Sequence, residues 1–154
     1  MTTKTKKQIT LYTSLGDWKV VKTSSYKLMF HNIQTNEKFN LISAPGFKTD
    51  SVSSLLALAE SGHKFPSVRQ YQILEHLYYN GLREWFTNAN INFTFSFTTF
   101  ITSEILTTTM ENPYGNDFLF TKVVCYDVGS SQIKILDEKD KVRYMLTKLN
   151  RLKK

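Results

Sequence analysis

The sequence predicts an α+β fold in which helices cover one face of a largely antiparallel sheet and a basic amphipathic helix ends the chain. Strand patterns fill residues 8–43, two helix patterns follow over residues 49–86, and strand patterns return over residues 91–135. Strands and helices therefore occupy separate blocks of the chain. Such segregation is typical of α+β domains, because a parallel sheet needs strands and helices that alternate one by one.

The first block predicts an antiparallel meander. Apolar and polar residues alternate over residues 18–20, 26–30 and 38–42. A period of two places one face of a strand in the core and the other in water. The polar run over residues 34–37 predicts the turn between the last two of these strands.

The middle block predicts two helices. The first has Thr49 or Asp50 as its N-cap and Gly62 as its left-handed stop, and Pro66 begins the second. The second has the wider apolar stripe, so we expect it to be central, with Gly81 allowing close packing. The apolar positions are Val52, Leu55, Leu56 and Ala59 in the first helix, and Val68, Tyr71, Leu74, Tyr78, Leu82 and Trp85 in the second.

The later strands vary in clarity. Residues 91–98 alternate without a fault and predict a strand with one buried face. Residues 99–110 are ambiguous, because their β-branched residues favour a strand while a short stretch fits a helical turn. Residues 118–128 form an apolar run typical of an interior strand, and residues 129–131 predict a hairpin turn into a strand at 133–135.

The end of the chain has helical spacing. Asp140 precedes it as a candidate cap, and its apolar residues are Val142, Met145, Leu146, Leu149 and Leu152. The predicted organisation is a basic N-terminal arm over residues 1–7 and a single α+β domain over residues 8–154, a length that can bury its own core.

The cations at the two ends exceed the whole net charge of +7 and leave a mildly acidic body. A helix whose apolar stripe docks on the domain can turn such cations toward a polyanion, where each neutralised phosphate adds salt-dependent affinity. A solvated helix with cations near its negative end, a membrane surface and a protein groove stay open as alternatives. The predicted nucleic-acid-binding residues are Lys4, Lys6, Lys7, Lys139, Lys141, Arg143, Lys148, Arg151, Lys153 and Lys154.

Catalytic and metal-binding motifs do not appear in the sequence. His31, His63 and His76 lack metal-ligand spacing with one another and with Cys125, so we expect no metal and no cofactor. A single cysteine excludes an internal disulfide, and no segment reads as a signal peptide or membrane span, which predicts a cytoplasmic or other reducing compartment. We lean toward a protein that is not an enzyme.

Part of the chain resembles a known nuclease family. The hairpin over residues 26–42, the helix pair and the strand over residues 91–97 resemble the element order of GIY-YIG nuclease domains over about half the chain. Residues 40–42 read Asn-Leu-Ile where the second Tyr-Ile-Gly would fall, and the first helix has no arginine. Glu104 and Glu111 each align with the metal-binding glutamate of that family, so the resemblance assigns no site residue.

The sequence therefore predicts a non-enzymatic binding or structural component of a larger intracellular or viral assembly. Its expected partner is anionic, with nucleic acid favoured, and its basic termini supply the contact. The first alternative is a protein-binding inhibitor or adaptor, such as a viral accessory protein. The second alternative is a divergent nuclease whose site residues meet only in space.

Overall fold

The structure is a computed structural model that describes residues 7–24, 26–43, 47–91, 98–110 and 118–148, with side chains described outside 107–110 and 118–120. Its antiparallel sheets and helices confirm the broad α+β prediction. Residues 1–6 of the predicted arm, and most of the predicted strand at 91–98, lie outside the described residues.

The predicted meander is confirmed as a four-stranded antiparallel sheet in chain order. Its strands are β1 (Gln8–Thr13), β2 (Gly16–Ser24), β3 (Lys27–Asn32) and β4 (Lys38–Ile42). Period two buries one face of this sheet, whose inward residues are Ile9, Leu11, Trp18, Val20, Leu28, Phe30, Phe39 and Leu41.

The first helix begins one residue later than the sequence predicted. Asp50 is taken up in the short strand β5 (Asp50–Ser51), which pairs with the C-terminal segment, so Ser51 rather than Thr49 or Asp50 caps α1 (Val52–Glu60). The Ser51 Oγ accepts a hydrogen bond from the Ser54 N–H at 3.2 Å. Gly62, with φ of 100°, follows the end of α1 as expected.

The second predicted helix is confirmed, with a kink. It runs as α2 (Val68–Leu77), a kinked turn (Tyr78–Leu82) in which Asn80 and Gly81 have non-helical dihedral angles, and α3 (Arg83–Asn88). Gly81 has φ of 122°, and a Cβ there would lie 2.7 Å from Leu11 Cδ2. Glycine therefore allows the close approach of the kink to β1. The helix buries its stripe on the inward face of the four-stranded sheet through Tyr71, Leu74, Leu77, Leu82 and Trp85.

A second antiparallel sheet contains β6 (Thr99–Met110), β7 (Phe118–Asp127) and β8 (Gln132–Asp137) in chain order. It resolves residues 99–110 as a strand and confirms the hairpin turn after β7. The β6–β7 pairing continues to Met110 and Phe118, whereas β8 pairs no further along β7 than Lys122. Beyond that point the described hairpin is two-stranded.

The predicted basic C-terminal helix is not confirmed. Residues 141–148 are extended: β9 (Lys141–Val142) pairs with β5, and isolated bridges then join Arg143 to Phe100, Leu146 to Ile42 and Lys148 to Lys64. Asp140, expected as a cap, lies in the preceding turn, where its carboxylate accepts from the Asp137 N–H. Residues 149–154 lie outside the described part of the chain.

The burial of its side chains explains why the apolar residues of this segment have helical spacing in the sequence. Val142 and Leu146 enter a cluster with α1, β6 and β7, whereas Met145 enters the cluster between the four-stranded sheet and α2. The chain changes direction between two cores, so its buried residues acquire helical spacing without helical hydrogen bonds. Its backbone instead pairs with four separate segments, which satisfies the polar groups of an otherwise isolated strand.

Candidate anion-binding site

A cavity of about 480 Å³ lies between α1, the segment before α2, β6 and the C-terminal segment. Its apolar lining comes from Leu56, Ala59, Phe65, Ile101 and Ile105. Its polar lining comes from His63, Lys64, Ser67, Gln70, Thr102, Ser103 and Thr147. We call this cavity the α1–β6 pocket.

Two lysines face each other across a backbone bridge beside the pocket. The Lys64 N–H donates to the Lys148 carbonyl at 3.0 Å, and the Thr147 N–H donates to the Lys64 carbonyl at 2.8 Å. Residues directly opposed in an antiparallel pair project to the same side, with their Cβ atoms about 4.5–5.5 Å apart. We therefore expect the Lys64 and Lys148 side chains to project to the same side of the bridge, although only Lys64 lines the pocket.

This like-charge pair has no compensating acid. Both lysines are exposed, and no carboxylate among the described residues lies within salt-bridge distance of either. Like charges directly opposed across strands destabilise a fold by up to roughly 1 kcal/mol. An anion held between the two ammonium groups removes that repulsion and accepts charge-assisted hydrogen bonds from both.

Some of the other polar groups of the pocket already form hydrogen bonds within the protein, and others are available to a ligand. Ser67 and Gln70 form the capping box of α2, and the Thr102 hydroxyl donates to the Val124 carbonyl at 2.6 Å. His63 contacts Ser61 Oγ through Nδ1 at 3.1 Å, which leaves its Nε2 without a hydrogen bond among the described residues. The Ser103 N–H donates to the Pro66 carbonyl, whereas the Ser103 hydroxyl makes no hydrogen bond among the described residues.

Among the described residues, no predicted site residue lines this pocket, and Lys148 lies beside it through its bridge to Lys64. Lys139 and Lys141 are exposed and Arg143 is half-buried, and none of the three has a carboxylate partner among the described residues. Lys7 lies at the start of β1, on the opposite edge of the four-stranded sheet from Ile42 and its partner Leu146. The remaining predicted residues, Lys4, Lys6, Arg151, Lys153 and Lys154, lie outside the described chain.

Sequence reasoning missed Lys64 and His63. They stand in a connection between helices, far from Lys148 along the chain, and no motif links them. Only the fold of the C-terminal segment across β4 and β6 brings these residues together.

Two groups of a type often used in catalysis, the Cys125 thiol and the Glu75 carboxylate, are engaged in the fold. Burial, with a smaller contribution from Asp140, raises the pKa of the Cys125 thiol to about 12, so this thiol is a poor nucleophile. The Glu75 carboxylate accepts from the Tyr126 hydroxyl, the Gly129 N–H and the Ser131 hydroxyl, each at 2.7 Å. In the described part of the chain, no three His, Cys, Asp or Glu side chains are grouped to hold a metal ion.

Comparison with known proteins gives no family for this chain: no family model, no curated protein and no solved structure matches it. Among the described helices, none has the length and apolar character needed to cross a membrane. Inference about function therefore rests on the geometry of the described surface.

Proposed function

We propose that the protein is a non-enzymatic binding or structural component of a larger intracellular or viral assembly, and that it contacts nucleic acid through cations of its C-terminal segment and its basic arm. The observation that supports this proposal is the bridge between Lys64, which lines the α1–β6 pocket, and Lys148, because neither lysine has a carboxylate partner among the described residues. Such an arrangement lowers stability unless an anion occupies it.

The spread of cations favours a polyanion over a single small anion. Lys139 lies in the turn before β9, and Lys141 and Arg143 precede Lys148 along the C-terminal segment. An extended chain spans at most about 3.3–3.6 Å per residue, so Lys141 and Lys148 are separated by up to roughly 25 Å. Cations distributed over that length match successive phosphates, each of which releases counterions on contact. A reducing compartment fits the single buried, unpaired Cys125.

The binding test uses substitutions rather than truncation. Deleting residues 139–154 removes Val142, Met145 and Leu146 from the core and would unfold the protein. We therefore compare Lys64→Gln and Lys148→Gln with the control Arg83→Gln, which removes one exposed charge from α3. Fluorescence anisotropy with a labelled oligonucleotide at low salt measures the affinity.

We expect each pocket variant to bind several-fold more weakly than wild type, and the control to bind like wild type. Equal affinity for all four proteins, or no binding by wild type to single-stranded or duplex oligonucleotides, would refute the assignment. Thermal unfolding of each variant confirms that the fold is intact.

A protein-binding inhibitor or adaptor is the second candidate. The strand β8 exposes Ile133 and Ile135, at 58% and 55% of their surface, and its outer backbone edge pairs with no other strand in the part of the chain that the structure describes. Edge strands with apolar side chains accept an added strand from a partner. A specific protein that stays bound after nuclease treatment and high salt, and is lost on Ile133→Lys, would favour this function instead.

A further inference from the structure

The face of the four-stranded sheet that points away from the core carries lysines in an ordered array. Thr10, Lys19, His31 and Lys38 are successive cross-strand partners on β1, β2, β3 and β4, so they form one row across this outer face. Adjacent strands lie about 4.8 Å apart, which puts Lys19 and Lys38 roughly 10 Å from each other. Lys27 occupies the same face further along β3, opposite Ile42.

The lysines of this face lack acidic partners. No carboxylate among the described residues lies within salt-bridge distance of Lys19, Lys27 or Lys38. Two acids lie near these lysines, one of them, Asp17, on the outer face itself as the cross-strand partner of Tyr12, and both make contacts within the protein. Asp17 accepts from the Gln34 amide at 3.2 Å, and Glu37 is bound to Arg69 at 2.8 Å.

Between the lysines the outer face is weakly polar. The next row contains Val21, Met29 and Asn40, which are half-buried, whereas the inward residues of the same strands are almost completely buried. Tyr12 stands at the end of the face with 55% of its surface exposed. Lysines around half-buried apolar groups and an exposed aromatic ring suit a chain that has both phosphates and bare bases.

On the basis of the nucleic-acid binding proposed above, we propose that this outer face is a platform for single-stranded nucleic acid. Lys19, Lys27 and Lys38 hold phosphates, while Tyr12 and Met29 contact bases that a duplex would keep stacked and hidden. Charge complementarity selects the polyanion, and the exposed Tyr12 ring with the half-buried Met29 selects the single strand over the duplex. The array is independent of the α1–β6 pocket, since it shares no residue with it.

Salt titration of single-strand affinity tests the platform. The test variant is Lys19→Gln with Lys38→Gln, and the matched control is Lys48→Gln with Arg83→Gln, which removes the same charge from exposed positions elsewhere. Each lost phosphate contact lowers the slope of log K against log salt by about 0.7 on a single strand. We expect the test variant to lose about 1.4 units of slope and the control to lose none.

A third variant separates stacking from charge. Tyr12→Ala is expected to weaken single-strand binding several-fold with the salt slope unchanged, because stacking on an aromatic ring involves no counterion release. Wild type is expected to prefer the single strand to a duplex of equal length at the same salt concentration.

The outcomes distinguish this platform from the function on which it rests. One outcome overturns the platform and leaves the proposed function standing. In that outcome wild type binds, the double variant Lys64→Gln with Lys148→Gln binds more weakly, and the Lys19→Gln with Lys38→Gln variant binds like its control. A preference for duplex also overturns the platform. If wild type binds no oligonucleotide at all, the proposed function fails and the platform fails with it.

Discussion

Lys64 and Lys148 occupy directly opposed positions of an antiparallel bridge, joined by a hydrogen bond of 3.0 Å from the Lys64 N–H to the Lys148 carbonyl. The backbone pairing holds the two side chains together although their charges repel. The pair ties the C-terminal segment to the connection between α1 and α2, and one of its members, Lys64, lines the α1–β6 pocket.

The first prediction concerns this repulsion. Lys64→Gln is expected to raise the free energy of unfolding by up to about 1 kcal/mol in anion-free buffer at low ionic strength. Inorganic phosphate should stabilise wild type more than the variant, because only wild type presents two ammonium groups to one anion. Urea unfolding with and without phosphate measures both effects, and equal stabilisation of the two proteins would contradict the anion site.

The second prediction concerns the C-terminal segment. Leu146→Ala is expected to cost about 2–5 kcal/mol of stability, because Leu146 is buried and its backbone pairs with Ile42 in both directions. The exposed control Lys139→Ala should change stability by less than about 0.5 kcal/mol. A Leu146→Ala variant as stable as the control would mean that the segment does not pack on the body.

The third prediction concerns the kink before α3. Gly81→Ala is expected to destabilise the protein by about 1–3 kcal/mol, because the residue adopts a φ of 122° and a Cβ would meet Leu11 Cδ2 at 2.7 Å. Denaturant unfolding provides the measurement. The exposed substitution Asn88→Ala near the end of α3 serves as the control, and equal effects of the two changes would show that the kink is not strained.

The fourth prediction concerns alkaline pH. Burial raises the pKa of Cys125 from 9.0 to about 12, so the unfolded chain releases this proton at a lower pH than the folded protein does. Between these two values the unfolded state binds fewer protons, and stability therefore falls as pH rises. Burial also raises the pKa of Tyr71 and Tyr126, which adds to the loss above pH 10.0.

Cys125→Ala should make the fall of the unfolding free energy with pH less steep between pH 9.0 and about 12, because the folded and unfolded states then differ by one bound proton fewer. The measurement is the urea midpoint across that range for wild type and variant. Identical pH profiles would show that the thiol is not protected from ionisation in the folded state.

The sequence was sufficient wherever structure follows from local pattern. Alternation predicted which residues of β1 to β4 face the core. In a strand every second side chain lies on the same face, so burying Trp18 or Phe30 assigns the face of every other residue in that strand. The cap of α1 was missed by one residue because Asp50 is drawn into a strand pair with Val142, which no local rule contains.

The C-terminal segment and the site depend on pairing over long distances in the chain. Val142, Met145 and Leu146 fit a helix by spacing, but contacts with β4, β5 and β6 decide their backbone. The approach of Lys64 to Lys148 has the same origin. The place of the lysines on the outer sheet face could be predicted from the sequence, because Lys19 and Lys38 stand at the outward positions of the alternation that predicted the meander.

The salt dependence of oligonucleotide binding tests the central claim most directly. For wild type, log K should fall linearly with log salt, and Lys64→Gln with Lys148→Gln should make that slope shallower by about 1.4 on a single strand or about 1.8 on a duplex. Affinity that does not respond to salt, or a slope identical in wild type and in the double variant, would contradict the claim that the opposed lysines bind nucleic-acid phosphates.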